Sequence, residues 1–228
     1  MPNADKLGDE SWTRGRSLLD VPCPMRGLCI GPPGSGKTNV LFNFLIHAAT
    51  PYKQVLVIHG DPATKEYDAL GKAGVKIVSE FPPISYFRGK EKTMVVIDDV
   101  PLKGLSKSQA VNADRLLNYV SSHKGVSVVI NSQTLTQVPT NLRRACNFYV
   151  VWKSGDSKDM TNIASKIGMR PENLNNLFET VLSTPRDSLW VDLTPGTPAP
   201  LRRNGFEPLE KTAKYKKQIL ASADFKLV

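Results

Sequence analysis

Gly31-Pro32-Pro33-Gly34-Ser35-Gly36-Lys37-Thr38 is a complete G-x-x-x-x-G-K-[ST] octet, and its reading decides the fold. Upstream, Arg26–Ile30 reads as a short buried strand. Downstream, Val40, Leu41, Phe44, Leu45 and Ala48 recur at helical spacing. Strand, glycine loop and helix form the context in which such an octet cradles phosphate. The glycines let several backbone N–H groups turn inward. Lys37 is expected to reach the β- and γ-phosphates, and the Thr38 hydroxyl to ligate Mg²⁺. The following helix adds the partial positive charge of its N-terminus. Residues Gly31 to Asn39 are therefore the expected nucleotide-binding stretch, with ATP and Mg²⁺ as cofactors.

The pattern on either side extends that reading. Gln54–His59, Val75–Val78, Thr93–Asp98, Val126–Asn131 and Phe148–Trp152 read as strands. Ala63–Ala73 reads as a helix, and residues 79–92 as a loop. Ser106 opens the clearest helix: Ser106-x-x-Gln109 is a capping box. Ala110, Ala113, Leu116, Leu117 and Val120 form its apolar stripe, and Gly125 suits its left-handed stop. Strands alternating with helices predict an α/β domain with a mainly parallel sheet covered on both faces. Ligands then gather at the carboxyl ends of the strands. Beyond Trp152, helices are expected over 157–167 and 171–182. Leu189–Leu193 reads as a half-buried strand, with Leu201–Phe206 returning as a hairpin partner. The expected division is an N-terminal arm (1–25), a P-loop domain (26–206) and a basic tail or helix (207–228).

Met94-Val-Val-Ile-Asp98-Asp99 places two carboxylates after four apolar residues, 61 positions beyond Lys37. This is the pattern of a Walker B strand. Asp98 is expected to hold Mg²⁺ through its water shell, and Asp99 to orient the attacking water. The strand Val126–Asn131 runs into Ser132 and Gln133; Gln133 is the first candidate to contact the γ-phosphate or water, and Asn131 the second. Arg143 and Arg144 are candidates for a transition-state arginine supplied by a neighbouring subunit. His47, His59 and His123 lack metal-ligand spacing and read as structural.

Composition bounds the rest. The chain of 228 residues carries 30 Lys and Arg against 21 Asp and Glu, a net charge of +9. Such a balance favours polyanions. Residues 195–228 hold seven basic and three acidic residues, and so contribute +4. Cys23, Cys29 and Cys146 have neither even number nor metal spacing, so a reducing compartment is expected. Apolar runs are strand-sized, and no integral membrane segment or signal peptide is expected. No Asn-Lys-x-Asp element supports a GTPase, and no Leu-Ser-Gly-Gly-Gln supports a transporter ATPase.

Gly31–Asn39, Val95-Val-Ile-Asp-Asp99, Val128-Val-Ile-Asn-Ser-Gln133 and Leu142-Arg-Arg-Ala-Cys-Asn-Phe-Tyr149 together resemble the genome-packaging ATPases of the FtsK/HerA superfamily. The poxvirus-type branch of large DNA viruses, virophages and Polinton-like elements is the most similar, and Ser188–Leu193 also fits it. The resemblance implies a RecA-like (ASCE) P-loop NTPase, a three-layer sandwich. It also implies a homo-oligomeric ring that translocates double-stranded DNA into a preformed capsid. By the same resemblance, Gln133 takes a sensor role and Arg143/Arg144 a subunit-interface role. The partners implied are duplex DNA and the capsid or portal region. The location implied is the site of virion assembly in host cytoplasm or nucleus, or the virion itself. The alternatives are a helicase, a DNA-transfer ATPase, a small-molecule kinase, or an ATP-gated DNA-binding or capsid-assembly subunit.

Overall fold

The computed structural model describes residues 15–16, 19–48, 51–63, 65–195, 197 and 200–209. The basic stretch 210–228 and residues 1–14 lie outside the described residues, and with them most of the expected arm and tail.

A short ribbon pairs β1 (Gly15–Arg16) with β2 (Pro22–Cys23). Then β3 (Arg26–Ile30) leads through the glycine loop into α1 (Lys37–Ile46). There follow β4 (Gln54–His59), a 3₁₀ turn (Lys65–Tyr67), α2 (Asp68–Lys72), β5 (Lys76–Val78) and β6 (Thr93–Asp98). One long helical arm begins as α3 (Lys107–Arg115), widens into a π turn (Leu116–Val120) and ends as α4 (Ser121–Lys124). After β7 (Ser127–Ser132) come α5 (Thr140–Ala145), β8 (Phe148–Trp152), α6 (Ser157–Lys166) and α7 (Pro171–Thr180). The antiparallel strands β9 (Ser188–Asp192), β10 (Leu201–Arg203) and β11 (Glu207–Pro208) complete the chain.

Among the described residues, nine strands form one sheet in the order β11-β10-β9-β8-β3-β7-β6-β4-β5. The six from β8 to β5 run parallel. Alternation along each strand sends side chains to two apolar layers. Leu28, Ile30, Val95, Ile97, Val128 and Ile130 face the helices α3 to α7. Cys29, Val57, Val96, Val129, Phe148 and Trp190 face α1, with Leu19, Val21 and Met25 packed beside them. The result is the α/β three-layer sandwich that the strand–helix alternation predicts.

Four local expectations change. The Ser106 hydroxyl caps Gln109 N–H at 3.3 Å, but the Gln109 side chain does not return the bond. Its Oε1 accepts from the Phe81 N–H instead, which ties the loop after β5 to α3. Ala110 is exposed, and the buried stripe starts at Ala113 and continues through Leu116, Leu117 and Val120. The helix expected over 63–73 is a 3₁₀ turn followed by the five residues of α2. The half-buried strand expected at Leu189–Leu193 is β9, buried throughout. Its Trp190 lies between Phe44 and Phe148, at 5.4 and 5.7 Å between ring centres, so the second face is covered as well.

Candidate active site

Strand order builds the site. β7 lies between β3 and β6, with Ile30 opposite Ser132 and Ile97 opposite Ile130. The glycine loop, Asn131–Gln133 and Asp98–Asp99 therefore leave the sheet at one edge, side by side. Gly31 N–H donates to the Ser132 carbonyl at 3.2 Å, which fixes the loop to the end of β7.

The loop is a backbone structure. Gly34 (φ 73°) and Gly36 (φ 105°) occupy the left-handed region, where a side chain is strained. A Cβ at Gly31 would stand 2.8 Å from the Ser35 hydroxyl oxygen. Lys37 Nζ donates to the carbonyls of Gly31 (2.6 Å) and Pro32 (2.9 Å), so the ammonium lies across the loop. Burial lowers its pKa, and the nearby Asp98, Cys29 and Asp99 oppose that shift. No side chain caps α1, so its first-turn N–H groups face the loop.

The two carboxylates differ. Asp98, half-buried, projects from the same face as Val96 toward α1, and its Oδ2 accepts a hydrogen bond from the Tyr67 hydroxyl. Asp99 is exposed and holds φ at 52°, a left-handed conformation uncommon outside glycine. The chain turns there under Gly60, where a Cβ would meet the Asp99 carbonyl oxygen at 2.9 Å.

Asn131 is only 6% exposed, and neither amide atom has a hydrogen-bond partner. It shares the face of Val129 and pairs with Cys29, so its amide lies on the α1 side, between the glycine loop and Asp98. Gln133 stands at the solvent edge. Of the two polar candidates on this strand end, Asn131 is thus the one with buried, unsatisfied hydrogen-bonding capacity.

Arg143 and Arg144 do not join the cluster. They sit on α5, which leads into the amino end of β8. Asn147 accepts from Arg26 N–H at 2.9 Å and donates its own N–H to the Arg26 carbonyl at 3.0 Å. Arg26 begins β3 and Gly31 follows its end, a separation of about 16 Å at the rise of a strand. Arg143 donates to Thr140 Oγ1 at 2.9 Å, whereas Arg144 is exposed.

Two features escape the sequence reading. Tyr67 lies in a polar surface stretch with no motif to mark it. The second omission is the Lys153–Gly155 turn, which with Pro32, Phe178 and Leu182 lines a pocket of about 470 Å³ beside the loop. That volume lies in the range of small-ligand sites.

Among the described residues no three His, Cys, Asp or Glu side chains converge as a metal cluster. Mg²⁺ needs none: it takes one or two carboxylates and keeps its other positions for phosphate and water. Asp98 and the Thr38 hydroxyl at the start of α1 fit that donor set, with the orphaned Asn131 amide beside them. Thr38, Tyr67 and Val96 line a common crevice, which brings the start of α1 to the Asp98 strand.

Solved structures share this fold. The genome-packaging NTPase B204 of Sulfolobus turreted icosahedral virus 2, in complex with ATP-gammaS, superimposes with a TM-score of 0.54 at 14% identity. The match covers 74% of this chain and 92% of that one. The fold is that of a P-loop NTPase. B204, the DNA-packaging ATPase from Sulfolobus turreted icosahedral virus, gives 0.53 at 13% identity, over 73% and 91% of the two chains. The pCW3 conjugation coupling protein TcpA, in monomer form with ATPgS, gives 0.51 at 14% identity, over 87% of this chain and 65% of that one. No family model and no curated protein sequence matches the chain. No helix among the described residues is long and apolar enough to cross a membrane.

Proposed function

We propose that the chain hydrolyses ATP with Mg²⁺ and, as a homo-oligomeric ring, drives double-stranded DNA into a preformed viral capsid. The observation that carries the ATPase reading is the convergence of Lys37, Asp98, Asp99 and the orphaned Asn131 at one sheet edge. The likeness to a viral genome-packaging NTPase supports packaging as the use of that ATP. The net charge of +9 supports a polyanionic substrate.

Each residue has a physical task. The loop N–H groups and Lys37 bind the phosphates, Lys37 exchanging its two carbonyl contacts for phosphate oxygens. The pocket beside Pro32 receives the nucleoside. Asp98 and Thr38 would hold Mg²⁺, whose chemistry is to neutralise charge on the β- and γ-phosphates. Asp99 orients and polarises the water that attacks the γ-phosphorus. Asn131 hydrogen-bonds that water or a γ-phosphate oxygen, with Gln133 further out. Arg144, exposed and remote from its own loop, is available to the site of a neighbouring subunit.

Mass measurement with an ATP analogue and duplex DNA, beside an ATPase assay, tests the proposal. The expected result is a ring of defined size with DNA-stimulated turnover that Lys37→Ala abolishes. A monomer whose turnover ignores DNA would exclude a ring motor. The likeness to TcpA favours a second reading, a DNA-transfer ATPase outside any virion. Packaging of DNA into purified capsids separates the two.

A further inference from the structure

Between Asp61 and Gly74 the chain makes a surface excursion from the end of β4 to β5. Among the side chains described there, all are exposed except Leu70, which is half-buried, and Tyr67, which is 1% exposed. α2, in the middle of this excursion, buries no residue. Among the described side chains Tyr67 is therefore the fully buried anchor of the segment, and its hydroxyl donates to Oδ2 of Asp98. The Tyr67 ring meets the edge of His59 at 5.5 Å and 65°, and it shares a crevice with Thr38, Leu41 and Val96. His59 pairs with Asp98 across β4 and β6, and its Nδ1 accepts from the Asp61 N–H at 2.9 Å. Both ends of the contact thus lead to the carboxylate that the nucleotide reading gives to the metal.

We infer that Tyr67 is a positioning residue that couples the segment 61–74 to Asp98, so that the seating of this segment and the hold on Mg²⁺ depend on each other. The inference rests on the nucleotide reading of the site and goes beyond it. A phenol that donates to one carboxylate oxygen fixes the carboxylate rotamer and leaves Oδ1 to face the metal's water shell. Hydrogen bonds to a ligating carboxylate orient it, and their loss typically weakens metal binding by about 10–100-fold. Coupling of two binding equilibria is reciprocal. Whatever holds or displaces the exposed segment therefore changes the metal affinity, and metal with nucleotide steadies the segment. With Tyr67 as its fully buried side chain and Leu70 half-buried among the described residues, the segment is weakly held elsewhere, and such coupling is large enough to measure.

Tyr67→Phe keeps the ring against His59 and removes the donor. The test uses the full chain and a fluorescent ATP analogue titrated with Mg²⁺. Affinity without metal should be unchanged, and half-saturating Mg²⁺ should rise about 10-fold or more. Leu70→Ala, which loosens the segment's packing without touching Asp98, should leave metal-free affinity intact and raise half-saturating Mg²⁺ less. In wild type, amide exchange across 61–74 should slow when Mg²⁺ is added to the nucleotide complex, and in Tyr67→Phe it should not. A Mg²⁺-responsive wild type with an identical Tyr67→Phe overturns this inference alone. A wild type whose nucleotide affinity ignores Mg²⁺ overturns the nucleotide reading and this inference with it. If Tyr67→Phe does not fold, the wild-type exchange response decides, and no change on adding Mg²⁺ overturns the coupling.

Discussion

Asp99 holds a backbone conformation that disfavours side chains, and Asn131 buries an amide without partners. A left-handed non-glycine residue costs on the order of 1 kcal/mol, and an unsatisfied buried amide about 1–3 kcal/mol. Two such costs at neighbouring strand ends, beside a glycine loop, support the proposal of a reaction site there. They also give predictions in which stability and activity move in opposite directions. Asp99→Gly relieves the φ of 52° and should leave the melting temperature unchanged or raised, while hydrolysis falls about 10²–10⁴-fold with nucleotide binding kept. A large fall in melting temperature, or normal turnover, would reject the assignment. Asn131→Leu, which has the same branching but replaces the amide atoms with bulkier methyl groups, should likewise keep the protein folded without the unsatisfied amide and lower turnover. Gln133→Ala should change turnover less, and the reverse ranking would return the sensor role to Gln133.

At the scale of elements, the close approach of β4 and β6 aims the carboxylates. The chain leaves β4 at Gly60 against the Asp99 carbonyl, and there is no room for a methyl group. Gly60→Ala should cost about 1–3 kcal/mol, since the obstacle is a backbone carbonyl that cannot rotate away. It should also shift Asp99, so turnover should fall further than the loss of folded protein explains. Turnover per folded molecule equal to wild type would show that Asp99 tolerates the displacement. The antiparallel addition β9–β10 is held by charge as well as by packing. Arg202, 3% exposed, donates to the carbonyls of Leu19 (2.6 Å), Asp20 (3.0 Å) and Gly205 (3.0 Å). Arg203 pairs with Asp187 at 3.1 Å. These two arginines are committed to the fold, and that bears on where DNA is gripped.

For the whole molecule, duplex binding should weaken steeply with salt and ignore sequence, with a log–log slope of about −0.9 per phosphate neutralised. Neutralising Lys211, Lys214, Lys216 and Lys217, which lie outside the described residues, should make that slope shallower on unrelated duplexes. Arg202→Leu should instead destabilise by about 2 kcal/mol or more and leave the slope alone. A slope that responds to Arg202 and not to the lysines would reverse the assignment. Arg144 lies at the amino edge of the sheet while the glycine loop lies at the carboxyl edge, so a transition-state role requires a second subunit. Mixing Arg144→Ala with Asp99→Asn subunits, each inactive alone, should restore activity at some interfaces. No recovery in confirmed mixed rings would count against Arg144. The sequence by itself determined the glycine loop, the strand carrying Asp98 and Asp99, the cap at Ser106 and the α/β class. Each is written in contiguous residues, through φ demands, side-chain period or a hydrogen bond a few positions away. The tertiary structure decided that β7 lies between β3 and β6, and so which of Asn131 and Gln133 is buried. It also decided that β9 is covered on both faces, that Arg143 and Arg144 stand far from their own loop, and that Tyr67 reaches Asp98. Those outcomes depend on pairing between segments distant in sequence, where burial and strand order are set by the whole sheet and no local pattern records the partner.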